Sequence, residues 1–401
     1  MPTSYGANQY VNELYNVQAT IDGIELSGIT ALNIKHKVNS ARVVTITLES
    51  RQGLEMMRIG GVLKLNFGLS DAYANKIINY EEGTGLGLLG SSVPNNFYGR
   101  VKVIRPSLKT STITAMDLVS DLATSQIENI RWKDYGSQDK YMVGRDICDY
   151  AGIDVSLLNE TMKYGQGVSD GKLDPDENIY GYQTKKSFLD KLFETMAFNP
   201  NDTITYQSAS TPSVSYMSQS NPFVEFYYAI KQNKTMEFFA PNRFDKRAKP
   251  VLKVGPNEAN IVGDGLVGQI DSSSLINSIT LVSSEDETKK VILQDNTSIQ
   301  KHGVYAKNVN FNSSNTNAMK EAGYLILQKF KEPTNTYKVE LAGGEWLQLG
   351  DLIEISSPLM ATSELFPVIE KQISITDSVV TKIAVGSRSI STKKILELVQ
   401  R

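Results

Sequence analysis

The residues of this chain that could do chemistry are few and far apart. His36 and His302 are its two histidines, widely separated and without a second ligand nearby, so no Cys/His metal spacing exists. Cys148, the lone cysteine, excludes an intramolecular disulfide framework. It falls in a helix-like pattern and reads as a small buried apolar residue rather than a nucleophile. No G-x-S-x-G elbow, H-E-x-x-H helix or Walker A loop is present. Glu81-Glu82 and the Glu285 to Glu287 run sit in polar, turn-like surroundings, whereas a glycosidase acid needs an apolar pocket to raise its carboxyl. The expectation is a protein that is not an enzyme, with no catalytic residue, no cofactor and no metal.

Three loops match motifs in form but not in context. Gly85-Leu86-Gly87-Leu88-Leu89-Gly90 fits the dinucleotide-binding pattern, yet Ser91-Ser92-Val93-Pro94 follows where a helix must open to hold a pyrophosphate. The bland reading, a glycine-rich loop, is preferred. Its Leu86, Leu88 and Leu89 then mark a contact surface for a neighbouring subunit. Asp174, Asp176 and Asn178 have the spacing of the first calcium-loop ligands, but Ile179 stands where glycine is required and Lys185 where an acid is required. A solvated loop is the better reading. The Arg243 to Lys249 run, RFDKRAK, places four cations beside one aspartate and reads as a solvated face rather than a nucleic-acid contact.

The elements that would position any site are mostly strands. Hydrophobic residues make up 40%, charged residues 21%, and net charge is −3 over 401 residues. These values fit a soluble protein of several domains without a global basic field. The opening MPTSYGANQYVNELYN has no positive region followed by an apolar core, and no run reaches the roughly twenty apolar residues of a membrane span. Residues 18–26 predict a hairpin turning at Asp22-Gly23. Alternating runs over 29–38, 43–49, 63–67, 97–105 and 111–116 predict further strands of a sandwich or barrel. From Asp117 the period changes to helical, with segments beginning at Leu118, around Val143 to Ala151, and after a capping Thr184. Residues 223–229 and 236–240 predict a hairpin. Strands at 275–284, 291–293, 304–311, 337–341, 352–356, 366–375 and 379–385 are expected to form a second barrel, with an amphipathic helix over 316–330.

Several of these segments together resemble phage baseplate hub proteins, the late-control and hub-like tail protein family shared with contractile injection systems. Phe97-Tyr98-Gly99-Arg100-Val101 followed by Thr112-Ile113-Thr114-Ala115-Met116-Asp117 is similar to the end of that family's first barrel. Gly144 to Ile153 and Ser187 to Phe193 resemble the two helices of its α/β insertion. A polar strand ending in His302-Gly303, the helix after it, and Leu347-x-x-Gly350-Asp351-x-Ile353-x-Ile355 resemble its C-terminal half.

The resemblance implies an α+β, mostly β fold: two tail-tube-like β-barrel domains, 1–117 and 251–401, with a mixed α/β insertion at 118–250. It also implies a structural hub of a phage tail. In this reading a homotrimer joins the sixfold tail tube protein to the threefold central spike protein, beside the surrounding baseplate wedge proteins. DNA passes through the channel without specific binding. No membrane is involved, and the expected place is the virion, with assembly in the host cytoplasm. The alternatives are a tail-associated cell-wall hydrolase, for which no spare domain is visible, and a glycan- or receptor-binding tail protein.

Overall fold

The computed structural model describes residues 15–49, 57–69, 95–126, 140–149, 151–155, 184–193, 197–198, 223–224, 227–239, 252–254, 261–312, 314–356, 364–376 and 378–386. The fold is α+β and mostly β. Strands β1 (Tyr15–Ile21), β2 (Ile24–Glu25), β3 (Ile29–Lys37), β4 (Val43–Leu48), β5 (Val62–Leu69), β6 (Asn95–Arg105) and β7 (Ser111–Asp117) come first. The expected hairpin is present, with Asp22 and Gly23 both at positive φ, the backbone a two-residue turn demands. Alternate residues point to one core: Leu32 and Ile34, Val44 and Ile46, Leu63, Leu65 and Phe67, Ile113 and Ala115. Among the described residues no helix covers this face, so the sheet buries it by curling on itself.

Helices α1 (Val119–Thr124), α2 (Lys140–Asp149) and α3 (Lys185–Phe193) follow, with β8 (Asp154–Val155), β9 (Ala197–Phe198), β10 (Phe223–Val224), β11 (Tyr227–Gln232) and β12 (Thr235–Phe239). The hairpin of β11 and β12 turns at Asn233, which has positive φ. β11 is buried on both faces. Tyr228 and Ile230 pack with the helices, while Tyr227 and Ala229 pack with the strands that come later.

Those strands are β13 (Leu252–Val254), β14 (Ile261–Asp271), β15 (Ser278–Ser283), β16 (Lys290–Gln294), β17 (Ala306–Phe311), β18 (Thr334–Ala342), β19 (Leu352–Ile355), β20 (Glu364–Ile375) and β21 (Val379–Gly386). Helix α4 (Asn296–His302) precedes β17, and α5 (Thr316–Phe330) precedes β18. Two expectations are corrected here. The segment ending in His302-Gly303 is a helix, not a strand: the Asp295 carboxylate accepts from the Ser298 amide at 2.9 Å, capping its start. Strands β15, β16 and β17 do not continue the second barrel. They form their own sheet, order β16-β15-β17, whose Ile279, Leu281, Leu293 and Phe311 pack on Met319, Ile326 and Phe330 of α5. β16 returns the chain antiparallel to β15, and helix α4 carries it past β15 so that β17 pairs parallel on the other side. Alternation marks each strand but not the sheet it joins.

While β8 to β12 form two small sheets, strands β1 to β7 join β13, β14 and β18 to β21 in one 13-stranded sheet, in the order β14-β18-β21-β20-β3-β4-β7-β6-β5-β1-β2, with β19 beside β20 and β13 beside β19. This sheet holds an internal duplication. Along the first half neighbours run β3-β4-β7-β6-β5-β1; along the second they run β14-β18-β21-β20-β19-β13. Placed in chain order, each strand of one half takes the place of its counterpart in the other.

The hydrogen bonds agree residue by residue. Gly60 N donates to Val101 O at 2.8 Å and Val101 N to Gly61 O at 2.8 Å; Gly350 N donates to Val368 O and Val368 N to Asp351 O, each at 2.9 Å. One residue later both long strands are bulged, β6 between Val101 and Val103, β20 between Val368 and Glu370. The halves differ at one pairing: β13 runs parallel to β19, whereas β1 runs antiparallel to β5.

Candidate functional site

The two halves meet at β20, and the residues there form the most unusual chemistry described in the molecule. β20 pairs with β19 from Glu364 to Pro367, then, past its bulge, with β3 from Glu370 opposite Lys37 to Ile375 opposite Leu32. Phe366 and Val368 accordingly belong to the second core, Ile373 and Ile375 to the first. A bulge is what lets one strand change partners along an edge, because the extra residue bends it.

The turn from Val38 to Arg42, between β3 and β4, gathers three parts of the chain. Val38 N donates to Ile369 O at 3.0 Å. Asn39, at positive φ, mimics a strand partner: its amide donates to Tyr228 O at 2.9 Å and its side-chain oxygen accepts from Tyr228 N at 2.8 Å. The Arg42 guanidinium donates to Lys231 O at 3.0 Å and Asn96 O at 2.6 Å, and lies 5.1 Å from the Phe97 ring centre. Its own amide donates to the Asp117 carboxylate at 2.9 Å, whose other oxygen accepts from Val119 N at 3.0 Å. Asp117 thus ties the β3–β4 turn to the start of α1.

Burial governs the charges. It pushes the Asp117 carboxyl up to about 7, against the pull of the Arg42 amide and charge. It brings Arg42 down to about 10. Lys371, buried and repelled by Arg42, comes down to about 8 while donating to Glu345 O at 3.0 Å and to Leu347 O. His36 is held well below its ordinary value by burial and by Arg42, Lys371 and Lys231, so it is neutral near pH 7. A lysine and an aspartate displaced this way in one region would ordinarily suggest catalysis. The space beside them is about 30 Å³, lined by His36, Arg42, Lys231, Trp346 and Lys371 among others. That is room for water and far below the few hundred Å³ of a substrate pocket. Arg42 donates to carbonyls of the first half and of the hairpin β11–β12, and Lys371 to carbonyls of its own half, so these buried cations tie neighbouring segments together beside a space the size of a water.

The residues singled out from sequence are not brought together. His36 is in this junction; His302 lies at the end of α4, 2.9 Å from Glu332. Cys148 is buried 3.7 Å from the Met236 sulfur, and burial pushes its thiol up to about 12, in keeping with an inert apolar residue. Glu285 and Asp286 accept bonds from Ser314 N and Thr288 at a surface turn. Leu86, Leu88 and Leu89, the Asp174 to Asn178 loop and the Arg243 to Lys249 run lie outside the described residues. Among the described residues no group of three or more His, Cys, Asp or Glu is placed to hold a metal, and no helix is long and apolar enough to cross a membrane.

Arg42 and Lys371 carried no sequence signal, one being a single cation in a turn and the other a single cation in an alternating strand. Asp117 and Gly99 did, inside the family-like segments, and the structure gives their reason. A Cβ on Gly99 would come within 2.3 Å of Met116 O and 2.5 Å of the Phe97 ring.

No family model matches the sequence, and no curated protein matches it. Solved structures do. A tail protein from Neisseria meningitidis matches over 95% of this chain and 99% of its own, at 12% identity and a TM-score of 0.54. The 43 kDa tail protein of prophage MuSo2 from Shewanella oneidensis matches over 94% and 98%, at 13% identity and a TM-score of 0.58. The chain therefore has the fold of phage tail proteins, which agrees with the resemblance read from its motifs.

Proposed function

We propose that this chain is a structural hub of a phage-tail baseplate, a homotrimer that adapts a sixfold tube to a threefold spike. The observation that carries the reading is the duplication: two units with one strand order and matching hydrogen bonds, joined edge to edge in a single sheet. Three such chains present six near-equivalent units on one side while keeping threefold symmetry on the other, the match a trimer needs to seat on a hexamer. The units correspond to 1–117 and 251–401, and the segment 118–250 between them braces their junction through Tyr228 and Lys231. The enclosed channel passes DNA without gripping it, a role compatible with a net charge of −3. Leu86, Leu88 and Leu89 serve as a contact to a neighbouring subunit.

Light scattering on the purified chain, alone and with a candidate spike protein, tests this. The expected mass is three times 44.3 kDa, or a complex of three chains with three spike chains. A stable monomer that never binds the spike would overturn the hub and favour a receptor-binding tail protein instead.

A further inference from the structure

The junction inside the chain has an open counterpart at the sheet's two far edges. By the repeat, β6 stands for β20 and β14 stands for β3. β20 fills one edge first with β19 and, past its bulge, with β3. β6 fills the same edge with β5 from Asn95 to Arg100; past its own bulge, Val103 to Arg105 have no strand partner there among the described residues. β14 pairs with β18 on one side and with no strand on the other among the described residues.

Apolar exposure marks the same two edges. Ile270 of β14 is 63% exposed, while its counterpart His36 in β3 is 5% exposed. Ile59, before β5, is 62% exposed, while its counterpart Leu349 is 1% exposed. Val267 on β14 and Leu108, just past β6, are also open to solvent. Positions that the internal junction buries are open to solvent at the ends.

We propose that copies of this chain join by pairing β14 of one with the outer half of β6 of the next, in the antiparallel register that β3 keeps on β20. Transferred residue by residue, that register sets Val103 opposite Asp271, Ile104 opposite Ile270 and Arg105 opposite Gln269 of the neighbouring copy. Pro106 ends the pairing because it has no N–H to donate. Ile59, Ile104 and Ile270 then meet where Leu349, Lys371 and His36 meet inside the chain, an all-apolar version of the same contact. Arg105 and Asp271, of opposite charge, lie on one face on the diagonal that Gln372 and Lys37 occupy within the chain.

The occupant is a second copy because one chain carries both complementary edges. Such a head-to-tail contact repeats until it closes, and closure leaves no bare strand edge to aggregate. The interface rests on the trimer reading above, which fixes the number of copies.

Cysteine cross-linking tests it, with little background because Cys148 is buried. The variant carrying Ile104→Cys and Ile270→Cys is treated with a short bis-maleimide and run on a denaturing gel, beside wild-type light scattering. Ile270 is exposed and Ile104 is partly buried against the first core, so circular dichroism checks that each variant keeps the wild-type fold before cross-linking. The control pairs Ile104→Cys with Ile292→Cys, an exposed residue on the separate small sheet. Covalent species at two and three times 44.3 kDa in the first variant and not in the control are expected, and Ile270→Asp should weaken association at least tenfold. A trimer whose paired cysteines link no better than the control overturns this interface and leaves the hub reading intact. A chain that stays monomeric at its highest soluble concentration, alone and with the spike, overturns both.

Discussion

The first and second units hold one backbone frame with different neighbours leaning on it. Gly60 and Gly350 occupy the same place, both at positive φ and both donating into the strand ahead of its bulge. Nothing lies within 4 Å of where a Cβ on Gly60 would be, while one on Gly350 would strike the Phe239 ring at 2.6 Å. The turn between β3 and β4 is short; between β14 and β18 the chain makes a detour through residues 272–333 with its own sheet and two helices. The repeat therefore consists of strand order, bulge position and alternation of apolar residues. Loops and packing partners are free to diverge around it, because they hang on the surface of the frame.

The largest test of this contrast is at the turn between β3 and β4, where the first unit receives the insertion. Arg42→Ala leaves Lys231 O and Asn96 O without their guanidinium donors in a buried region, and should destabilise by about 3–5 kcal/mol in denaturant unfolding. Relief of repulsion on Lys371 offsets only part of this. Arg100→Ala, which breaks a half-exposed pair with Asp121 at 2.8 Å, should change stability by less than about 1 kcal/mol. Equal effects would mean that Arg42 does not hold the first unit to the insertion.

The same buried cluster should show in the pH dependence. The folded protein holds Asp117 near 7, above its ordinary 3.8, so it binds this proton more tightly than the unfolded chain. Stability should therefore fall as pH rises from about 4 to 7 and level off above, by up to about 4 kcal/mol from this group. Lys371 has the opposite displacement, to about 8 from 10.5. Its folded state sheds a proton early, so its contribution rises between pH 8 and 10.5. Asp117→Asn should abolish the fall between pH 4 and 7 and leave the rise above 8. Parallel stability curves for wild type and variant across pH 4 to 7 would show that Asp117 ionises normally.

The frame was largely legible in the sequence, and the junction was not. Asp22-Gly23, the alternation in Val43 to Leu48 and the run from Leu347 to Ile355 each dictate a local conformation, so strands and turns could be read directly. The sheet each strand joins depends on partners far along the chain. For that reason β15, β16 and β17 could not be separated from the second barrel. The pair of barrels was expected from the family resemblance, but the residues themselves do not show which strands correspond. Gly60-Gly61-Val62-Leu63-Lys64-Leu65 and Gly350-Asp351-Leu352-Ile353-Glu354-Ile355 share little beyond glycine and alternation, features common to many strands. Only the matching hydrogen bonds reveal them as counterparts. His36 and Lys371 drew no notice as a pair because one strand pairing, between residues more than three hundred positions apart, is what places them together.

The paired glycines give a sharper, smaller test. Gly350→Ala should destabilise by about 2–4 kcal/mol, from backbone strain plus the clash with Phe239, while Gly60→Ala should show strain alone, about 1 kcal/mol. In the Gly350→Ala variant, trimming Phe239 to Leu should recover part of the loss. Thermal melts of the single and double variants would check both, and equal losses at the two glycines would mean that Phe239 yields freely.

The smallest effect is expected where the junction looks most electrostatic. Glu370 lies 3.1 Å from Lys35 and 4.0 Å from Lys37, directly over the crossing of β20 to β3. Both lysines are more than half exposed, so water and salt screen the attraction, and Glu370→Gln should cost less than about 1 kcal/mol, vanishing near 1 M salt. Backbone pairing and the apolar residues Ile34, Ile373 and Ile375 hold this edge instead. If the substitution proved far more damaging, charge rather than the bulge would be setting the register, and the same logic would then have to apply to Arg105 and Asp271 between copies.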